Sequence, residues 1–165
     1  MTESAKTPAR LADLLVLVLF VALCLGVAAL GGIATATSVD TWYQGLQKPP
    51  FNPPNWVFAP VWTTLYVLMG VAACRVWRHS EAGGRRLALT LFAIQLVLNL
   101  AWSFLFFGMQ RIDLALVDIV LLLLAVAATI ALFWPIERLA GWLLVPYFLW
   151  VSFATALNTS LWLLN

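Results

Sequence analysis

Five long apolar runs, separated by short polar segments, make up most of this chain of 165 residues. Each run has the roughly 20 residues that a helix needs to cross a bilayer. The chain lacks the short alternating segments of a membrane β-barrel. The pattern predicts an all-α, polytopic membrane protein, a five-transmembrane-helix bundle that forms one domain over residues 1–165. The predicted spans cover about residues 11–34, 56–76, 87–107, 114–134 and 139–164.

The first apolar run resembles a secretory signal peptide, because Lys6 and Arg10 precede it and Ala34-Thr35-Ala36 has the form of a cleavage site. However, Leu14–Ile33 is uncharged over 20 residues, longer than the roughly 7–15 of a signal peptide core. We therefore interpret the run as a membrane helix. Two pairs of small residues in it would let a neighbouring helix approach closely, namely Ala22 with Gly26 and Ala28 with Gly32.

The composition supports a membrane location, and the charge distribution predicts an orientation. Only 10% of the residues are charged, against roughly 25% in soluble domains. The net charge of +2 is too small and too scattered for nucleic-acid binding. Basic residues cluster on one predicted side, which places the N-terminus in the cytoplasm and the first long loop on the opposite side of a bacterial-type inner membrane. The predicted cytoplasmic side holds Lys6, Arg10, Arg75, Arg78, Arg85, Arg86 and Arg138, whereas the opposite side holds Lys48 and Arg111.

A stretch rich in proline and aromatic residues, Trp42–Tyr66, joins the first two spans. Four of its prolines, Pro49, Pro50, Pro53 and Pro54, fall within six residues. Because proline fixes φ and donates no hydrogen bond, this part of the loop at about 37–55 is predicted to be stiff and non-helical. Flat rings on a stiff loop would make a lid for a flat hydrophobic ligand.

Three predicted helix faces combine polar groups with aromatic rings. An amide in hydrocarbon is unfavourable unless it finds a partner, so these faces are expected to point into the bundle. Hydrogen bonds that fix helix packing and a ligand cavity are both open interpretations, and the flanking aromatic rings favour a cavity. The faces consist of Gln95, Asn99, Trp102 and Phe106; of Tyr147, Trp150, Ala154 and Asn158; and of Trp62 and Tyr66.

Other aromatic and charged residues have alternative interpretations. An interfacial aromatic belt would account for Trp42, Tyr43, Trp56 and Trp142. Asp118 lies about one turn inside the fourth span, from which it is expected to reach water, Arg111 or a nearby backbone group.

Common catalytic and metal-binding motifs are missing from the sequence. There is no HExxH motif, no Cys/His cluster, no P-loop and no Ser/His/Asp set. Cys24 and Cys74 lie in or at the edge of apolar runs, as packing residues do. No metal site is predicted, and a bound haem would lack an obvious histidine ligand, because the only histidine, His79, is predicted on the cytoplasmic face.

Four segments in order resemble the TspO/MBR family, the tryptophan-rich sensory proteins, which include the mitochondrial translocator protein or peripheral-type benzodiazepine receptor. They read WYxxLxKPxxxPPxWVFxPVWTxLY at 42–66, QLxLNxxWSFLFF at 95–107, ALVD at 115–118 and LLVPYFLWVSFATALN at 143–158. The similarity extends from about Leu11 to Asn165. The cholesterol motif of the animal members is absent from the fifth span, because no Lys or Arg follows Tyr147.

The resemblance implies a homodimer in the lipid bilayer that binds porphyrins, such as protoporphyrin IX or haem, in a pocket under the first loop. No covalently bound cofactor is expected. By motif position, the ligand-binding residues would be Tyr43, Trp62, Asn99, Trp102, Tyr147, Trp150 and Ala154, with Pro53 and Trp56 in or near the lid.

Two functions are compatible with this resemblance. The first is a membrane receptor or sensor with a role in tetrapyrrole handling, transport or stress regulation. The alternative is an enzyme for light- and oxygen-dependent porphyrin degradation, in which Trp62 and Trp150 are the candidate reactive groups and no acid–base pair is apparent. A stand-alone transporter is disfavoured, because five spans cannot form two equal repeats.

Overall fold

A computed structural model describes residues 6–79 and 84–165. These residues form α-helices and connecting loops, without β-strands. A π-helical turn, Phe104–Gly108, continues the fourth helix towards its loop. The α-helices are α1 (Lys6–Ala36), α2 (Trp42–Gly45), α3 (Asn55–Arg78), α4 (Arg85–Ser103), α5 (Ile112–Ile136) and α6 (Arg138–Leu164).

The five long helices form a closed ring. In the described part of the chain, five helices are long and apolar enough to cross a membrane, which confirms the predicted all-α class. Helix α1 packs on α3 and α4, α3 packs on α6, and α5 lies between α4 and α6. Large apolar side chains remain exposed around the ring, especially on α1, as expected of surfaces that face lipid.

Most helix boundaries match the prediction, but two local elements were missed. The proline-rich residues 49–54 are non-helical, as predicted, whereas the single-turn helix α2 lies just before them. The π-helical turn was also not predicted. Helix α5 continues through Pro135 to Ile136 rather than ending at Trp134, and the backbone N–H of Glu137 still donates to the carbonyl of Phe133 at 2.8 Å.

Close packing of α1 against α3 depends on Gly70. A Cβ atom on Gly70 would lie 2.7 Å from the Cα atom of Val21, so only glycine lets the two backbones approach this closely. The predicted contacts at Gly26 and Gly32 were wrong, because a Cβ atom on either residue would meet nothing within 4 Å. Gly26 is exposed, and Gly32 lies beside open space rather than against a neighbouring helix.

An ion pair joins α3 to the junction of α5 and α6. The guanidinium of Arg75 donates to both carboxylate oxygens of Glu137, with distances of 2.7 and 3.1 Å. Glu137 is also the N-cap of α6, where it accepts from the backbone N–H groups of Leu139 and Ala140. The hydrogen bond from Arg75, supported by these N–H groups, lowers the pKa of Glu137 to about 2.

Replacement of Gly70 by alanine is expected to lower the thermal unfolding midpoint in detergent. The clash with Val21 corresponds to overpacking, which costs about 1–3 kcal/mol. Gly26→Ala is the matched control, and it is expected to leave the midpoint unchanged or to raise it, because alanine favours helix. Equal midpoints for the two variants would contradict the close approach at Gly70.

Acid is expected to destabilise the protein in part through Glu137. Because its folded pKa of about 2 lies below the ordinary value of 4.5, its stabilising contribution is complete above about pH 4.5 and disappears as the pH falls towards 2. Glu137→Gln is therefore expected to lower the unfolding midpoint at neutral pH and to flatten its pH dependence below pH 5. A wild-type slope in Glu137→Gln would refute this role.

Candidate functional site

A cavity of about 450 Å³ lies in the half of the bundle nearest the loop that joins α1 to α3. Its volume is in the range of small-molecule sites, roughly 300–1,000 Å³. Helices α1, α3, α4 and α6 contribute its walls, and the loop, residues 37–54 and here called the lid loop, contributes Val39, Asp40 and Tyr43. Eight aromatic side chains line it: Tyr43, Phe58, Trp62, Tyr66, Trp102, Phe106, Phe107 and Trp150.

Trp62 lies at the centre of the aromatic wall. Phe58, Trp62 and Tyr66 follow one another at intervals of four residues on α3, so they share one helix face. The rings of Trp62 and Trp150 are perpendicular, with centroids 6.4 Å apart, and Trp62 lies 5.8 Å from Tyr66. The first contact is edge-to-face and the second is tilted, and together they fix the orientation of the rings. The cavity therefore has rigid, flat apolar walls.

The wall opposite these rings consists of small residues from α1. Ala28, Gly31, Gly32, Thr35 and Ala36 line the cavity there. Larger side chains on this face would occupy the volume that is open between α1 and α3. The same helix thus packs tightly near Val21 and leaves space nearer the lid loop.

A chain of hydrogen bonds connects the cavity to the centre of the bundle. The hydroxyl of Tyr66 donates to Oδ1 of Asn99, and Nδ2 of Asn99 donates to the Tyr147 hydroxyl at 2.7 Å. Tyr147 in turn donates to Oε1 of Gln95 at 2.8 Å. These residues come from α3, α4 and α6, so both buried amides fix the helix packing, and Asn99 also lines the cavity. The interpretation as packing hydrogen bonds is thus confirmed, and the role of this face in ligand binding stays a prediction.

A second amide supports the wall closer to the lid loop. Nε1 of Trp102 donates to Oδ1 of Asn158 at 3.0 Å, and Nδ2 of Asn158 donates to the carbonyl of Ile112 at the start of α5. Stacking of Trp102 on Phe106, with centroids 5.1 Å apart, continues this wall into the π-helical turn. Because its indole N–H is already paired, Trp102 offers its ring rather than a donor to the cavity.

Contacts at several points hold the lid loop on the bundle. Ser38 donates to the carbonyl of Phe107 at 2.8 Å, a group near the end of the π-helical turn. Tyr43 is buried between Phe106 and Phe107, and its hydroxyl donates to Asn52 at 2.8 Å. Burial raises the pKa of Tyr43, so the hydroxyl remains a donor at neutral pH.

The lid loop is also joined to the end of α6, through Gln47. The side chain of Asn165 accepts from the backbone N–H of Gln47 at 3.0 Å and donates to its carbonyl at 3.1 Å. The amide thus pairs with Gln47 much as a neighbouring strand would.

The structure places most of the predicted ligand-binding residues around the cavity. Three of them do not line it: Tyr147 lies behind Asn99 and is almost fully buried, Trp56 is 74% exposed at the start of α3, and Pro53 lies in the lid loop. Phe58, Phe107 and the small residues of α1 line the cavity but were not predicted, although Phe58 precedes Trp62 by one helical turn. The predicted residues that line it are Tyr43, Trp62, Asn99, Trp102, Trp150 and Ala154.

The predicted aromatic belt and the predicted surroundings of Asp118 agree with the structure only in part. The exposure of Trp56 and Trp142 fits an interfacial aromatic belt, whereas the buried Tyr43 does not belong to one. Arg111, one of the three alternative partners expected for Asp118, pairs instead with Asp113 through two hydrogen bonds. Oδ2 of Asp118 is buried and has no hydrogen-bonding partner within residues 6–79 and 84–165.

Comparisons with a family model and with individual proteins both give the TspO/MBR family. The model of the TspO/MBR family matches residues 20–163. The chain is 44% identical to a protein named tryptophan-rich protein TspO from Chlorobaculum tepidum, over 93% of this chain and 98% of the relative. It is also 45% identical to the human translocator protein over 73% of each chain, and 43% identical to a tryptophan-rich sensory protein from Cereibacter sphaeroides over 84% of this chain and 87% of the relative.

Replacement of Tyr147 by phenylalanine is expected to destabilise the bundle. It would leave Nδ2 of Asn99 and Oε1 of Gln95 without partners in hydrocarbon, which costs about 1–3 kcal/mol. Thermal unfolding in detergent measures the loss. Tyr43→Phe, which removes a partly accessible hydrogen bond to Asn52, is the control and is expected to have the smaller effect. A larger loss for Tyr43→Phe would show that the central chain of hydrogen bonds is not the stabilising one.

Proposed function

Because the chain belongs to the TspO/MBR family, we propose that it is a membrane receptor or sensor that binds flat hydrophobic molecules, in particular porphyrins such as protoporphyrin IX. The observation that carries this proposal is the cavity of about 450 Å³ between eight aromatic rings and a wall of small residues. Two relatives are named as a sensory protein and a translocator protein, which is consistent with a role in ligand recognition.

Stacking and burial of apolar surface supply the binding energy in this proposal. Aromatic pairs contribute about 0.5–1.5 kcal/mol beyond their buried area, and several rings can contact one macrocycle. Trp62 and Trp150 lie 6.4 Å apart at right angles, so one can stack on a planar guest while the other meets its edge. The lid loop closes the remaining side with Tyr43.

The residues that line the cavity offer haem no histidine ligand. His79 ends α3, more than four helical turns from Trp62, and its ring contacts the carbonyl of Arg75. Within the described ranges, no group of three His, Cys, Asp or Glu side chains is placed to hold a metal ion. Haem would therefore depend on the same stacking as the free macrocycle.

The structure also supports the predicted orientation. Arg75 and Arg78 lie in the last turn of α3, and Arg85 and Arg138 begin α4 and α6. These residues share one end of the bundle, here called the basic end, and the cavity is nearer the other. By the positive-inside rule the basic end faces the cytoplasm, so the lid loop lies on the opposite side.

Filling the cavity is expected to weaken porphyrin binding. Ala154 lines the cavity, whereas Ala156 on the same helix is exposed to lipid. Ala154→Leu should therefore raise the Kd of protoporphyrin IX about tenfold or more, and Ala156→Leu should leave it unchanged. Saturable quenching of tryptophan fluorescence in detergent micelles measures both. Equal affinities of the two variants would rule out this cavity as the porphyrin site.

Light-dependent porphyrin breakdown is the second candidate function. It is favoured by the two indoles, Trp62 and Trp150, that would flank a bound macrocycle. Dioxygen would be the oxidant and the porphyrin would be oxidised. Illumination of the complex in air is expected to bleach the porphyrin faster than illumination without oxygen or with denatured protein, and equal bleaching rates would exclude catalysis.

A further inference from the structure

An exposed tryptophan at the basic end of the bundle contacts both α1 and α4. Trp77 lies in the last turn of α3 and is 46% exposed. Its ring packs against Phe20 of α1, with centroids 6.0 Å apart. The guanidinium of Arg85, at the start of α4, lies 5.1 Å from the centre of the Trp77 ring, which is within the range of a cation–π contact. Trp77 thus holds a basic side chain at the surface of the bundle.

Arg85 and Arg78 are each oriented by a backbone carbonyl. Nη1 of Arg85 donates to the carbonyl of Trp77 at 3.1 Å, and Nη2 of Arg78 donates to the carbonyl of Asp13 at 2.7 Å. A guanidinium has five N–H donors, and each of these two uses one of them in the hydrogen bonds formed within residues 6–79 and 84–165. A carbonyl carries no formal charge, so these bonds position the guanidiniums without neutralising them.

Acidic residues do not balance the basic ones on this side of the bundle. Three segments of the sequence hold seven basic and four acidic residues, which leaves a net charge of +3. Of the acidic residues, Glu137 is engaged by Arg75. Asp13 lies 3.8 Å from Arg78, with both side chains exposed, so that pair contributes little. The three segments are residues 1–13, 75–86 and 137–138.

A phospholipid matches both the charge and the apolar surface of this region. A guanidinium binds phosphate oxygens through paired N–H donors. Tryptophan prefers the membrane–water interface, where its ring meets acyl chains and its N–H meets polar groups. Leu14 and Leu15 of α1, next to Asp13 in the chain, are exposed and extend the apolar surface at this end. A soluble phosphate would use the arginines but not this apolar surface.

We propose that Trp77, Arg78 and Arg85 form a site for the headgroup of an anionic phospholipid such as phosphatidylglycerol. Arg85 binds the phosphate, and Arg78 adds a second positive charge at the same end. Phosphatidylcholine is disfavoured, because its choline group carries a positive charge that the arginines repel. The cavity lies nearer the other end of the bundle, so this lipid site does not depend on porphyrin binding.

Native mass spectrometry of the protein released from detergent micelles tests this site, because it counts bound lipid molecules. The wild type and the variants are titrated with phosphatidylglycerol, or with phosphatidylcholine that has the same acyl chains. Arg85→Gln removes the charge, whereas Arg85→Lys keeps the charge and removes the planar guanidinium. Arg138→Gln is the matched control, since it removes an exposed charge from the basic end but lies at the start of α6.

The wild type is expected to bind phosphatidylglycerol more tightly than phosphatidylcholine. Arg85→Gln should weaken phosphatidylglycerol binding about fivefold, the scale of one basic residue near an anionic bilayer surface, and should leave phosphatidylcholine binding nearly unchanged. Arg85→Lys should lose part of this affinity, because an ammonium cannot form the bidentate contact. Arg138→Gln should have a smaller effect than Arg85→Gln.

Three results would overturn the lipid site. If Arg85→Gln binds phosphatidylglycerol like the wild type, the headgroup does not bind at Arg85. If Arg138→Gln loses as much affinity as Arg85→Gln, or if Arg85→Lys loses none, diffuse positive charge rather than this site attracts the lipid. If excess glycerol 3-phosphate displaces phosphatidylglycerol, the arginines bind a soluble phosphate and the acyl chains contribute nothing.

Discussion

A bilayer offers no hydrogen-bonding partner to a buried polar group, and this constraint determines how the bundle is assembled. Asn99 satisfies it by joining Tyr66 of α3 to Tyr147 of α6, and Gln95 extends the chain by one more residue. Each side chain in this chain needs its neighbours at a specific helix rotation. Apolar packing alone tolerates many rotations of a lipid-exposed helix, so these polar contacts select one arrangement of α3, α4 and α6.

The cavity follows from that arrangement. Asn99 fixes α3 at Tyr66 and α6 at Tyr147. Trp62 lies about one turn from Tyr66 and Trp150 about one turn from Tyr147, so the same arrangement brings these two rings into edge-to-face contact. Helix α1 could fill the remaining volume, but its residues there are small. The tight contact at Gly70 holds the other half of α1 against α3. One helix therefore seals the basic end and leaves room at the end near the lid loop.

Sequence reasoning was reliable where a feature depends on local composition and unreliable where it depends on contacts distant in sequence. Hydropathy predicted all five spans, and helical spacing predicted that Asn99 and Trp102 share a face with Gln95. Nothing in the sequence shows that Asn99 pairs with Tyr147, 48 residues away, or that Gly70 rather than Gly26 contacts a neighbour. Helix α2 and the π-helical turn were missed because short irregular elements are stabilised by tertiary packing, here of Tyr43 on Phe106, rather than by propensity.

The pairing of Asn165 with Gln47 has an unequal effect on the two positions. Gln47 takes part only through its backbone, so almost any residue other than proline can preserve the contact. Position 165 needs a side chain that both accepts and donates at the length of asparagine. Random mutagenesis of the two sites would therefore give broad tolerance at position 47 and narrow tolerance at position 165, although the two residues form one contact.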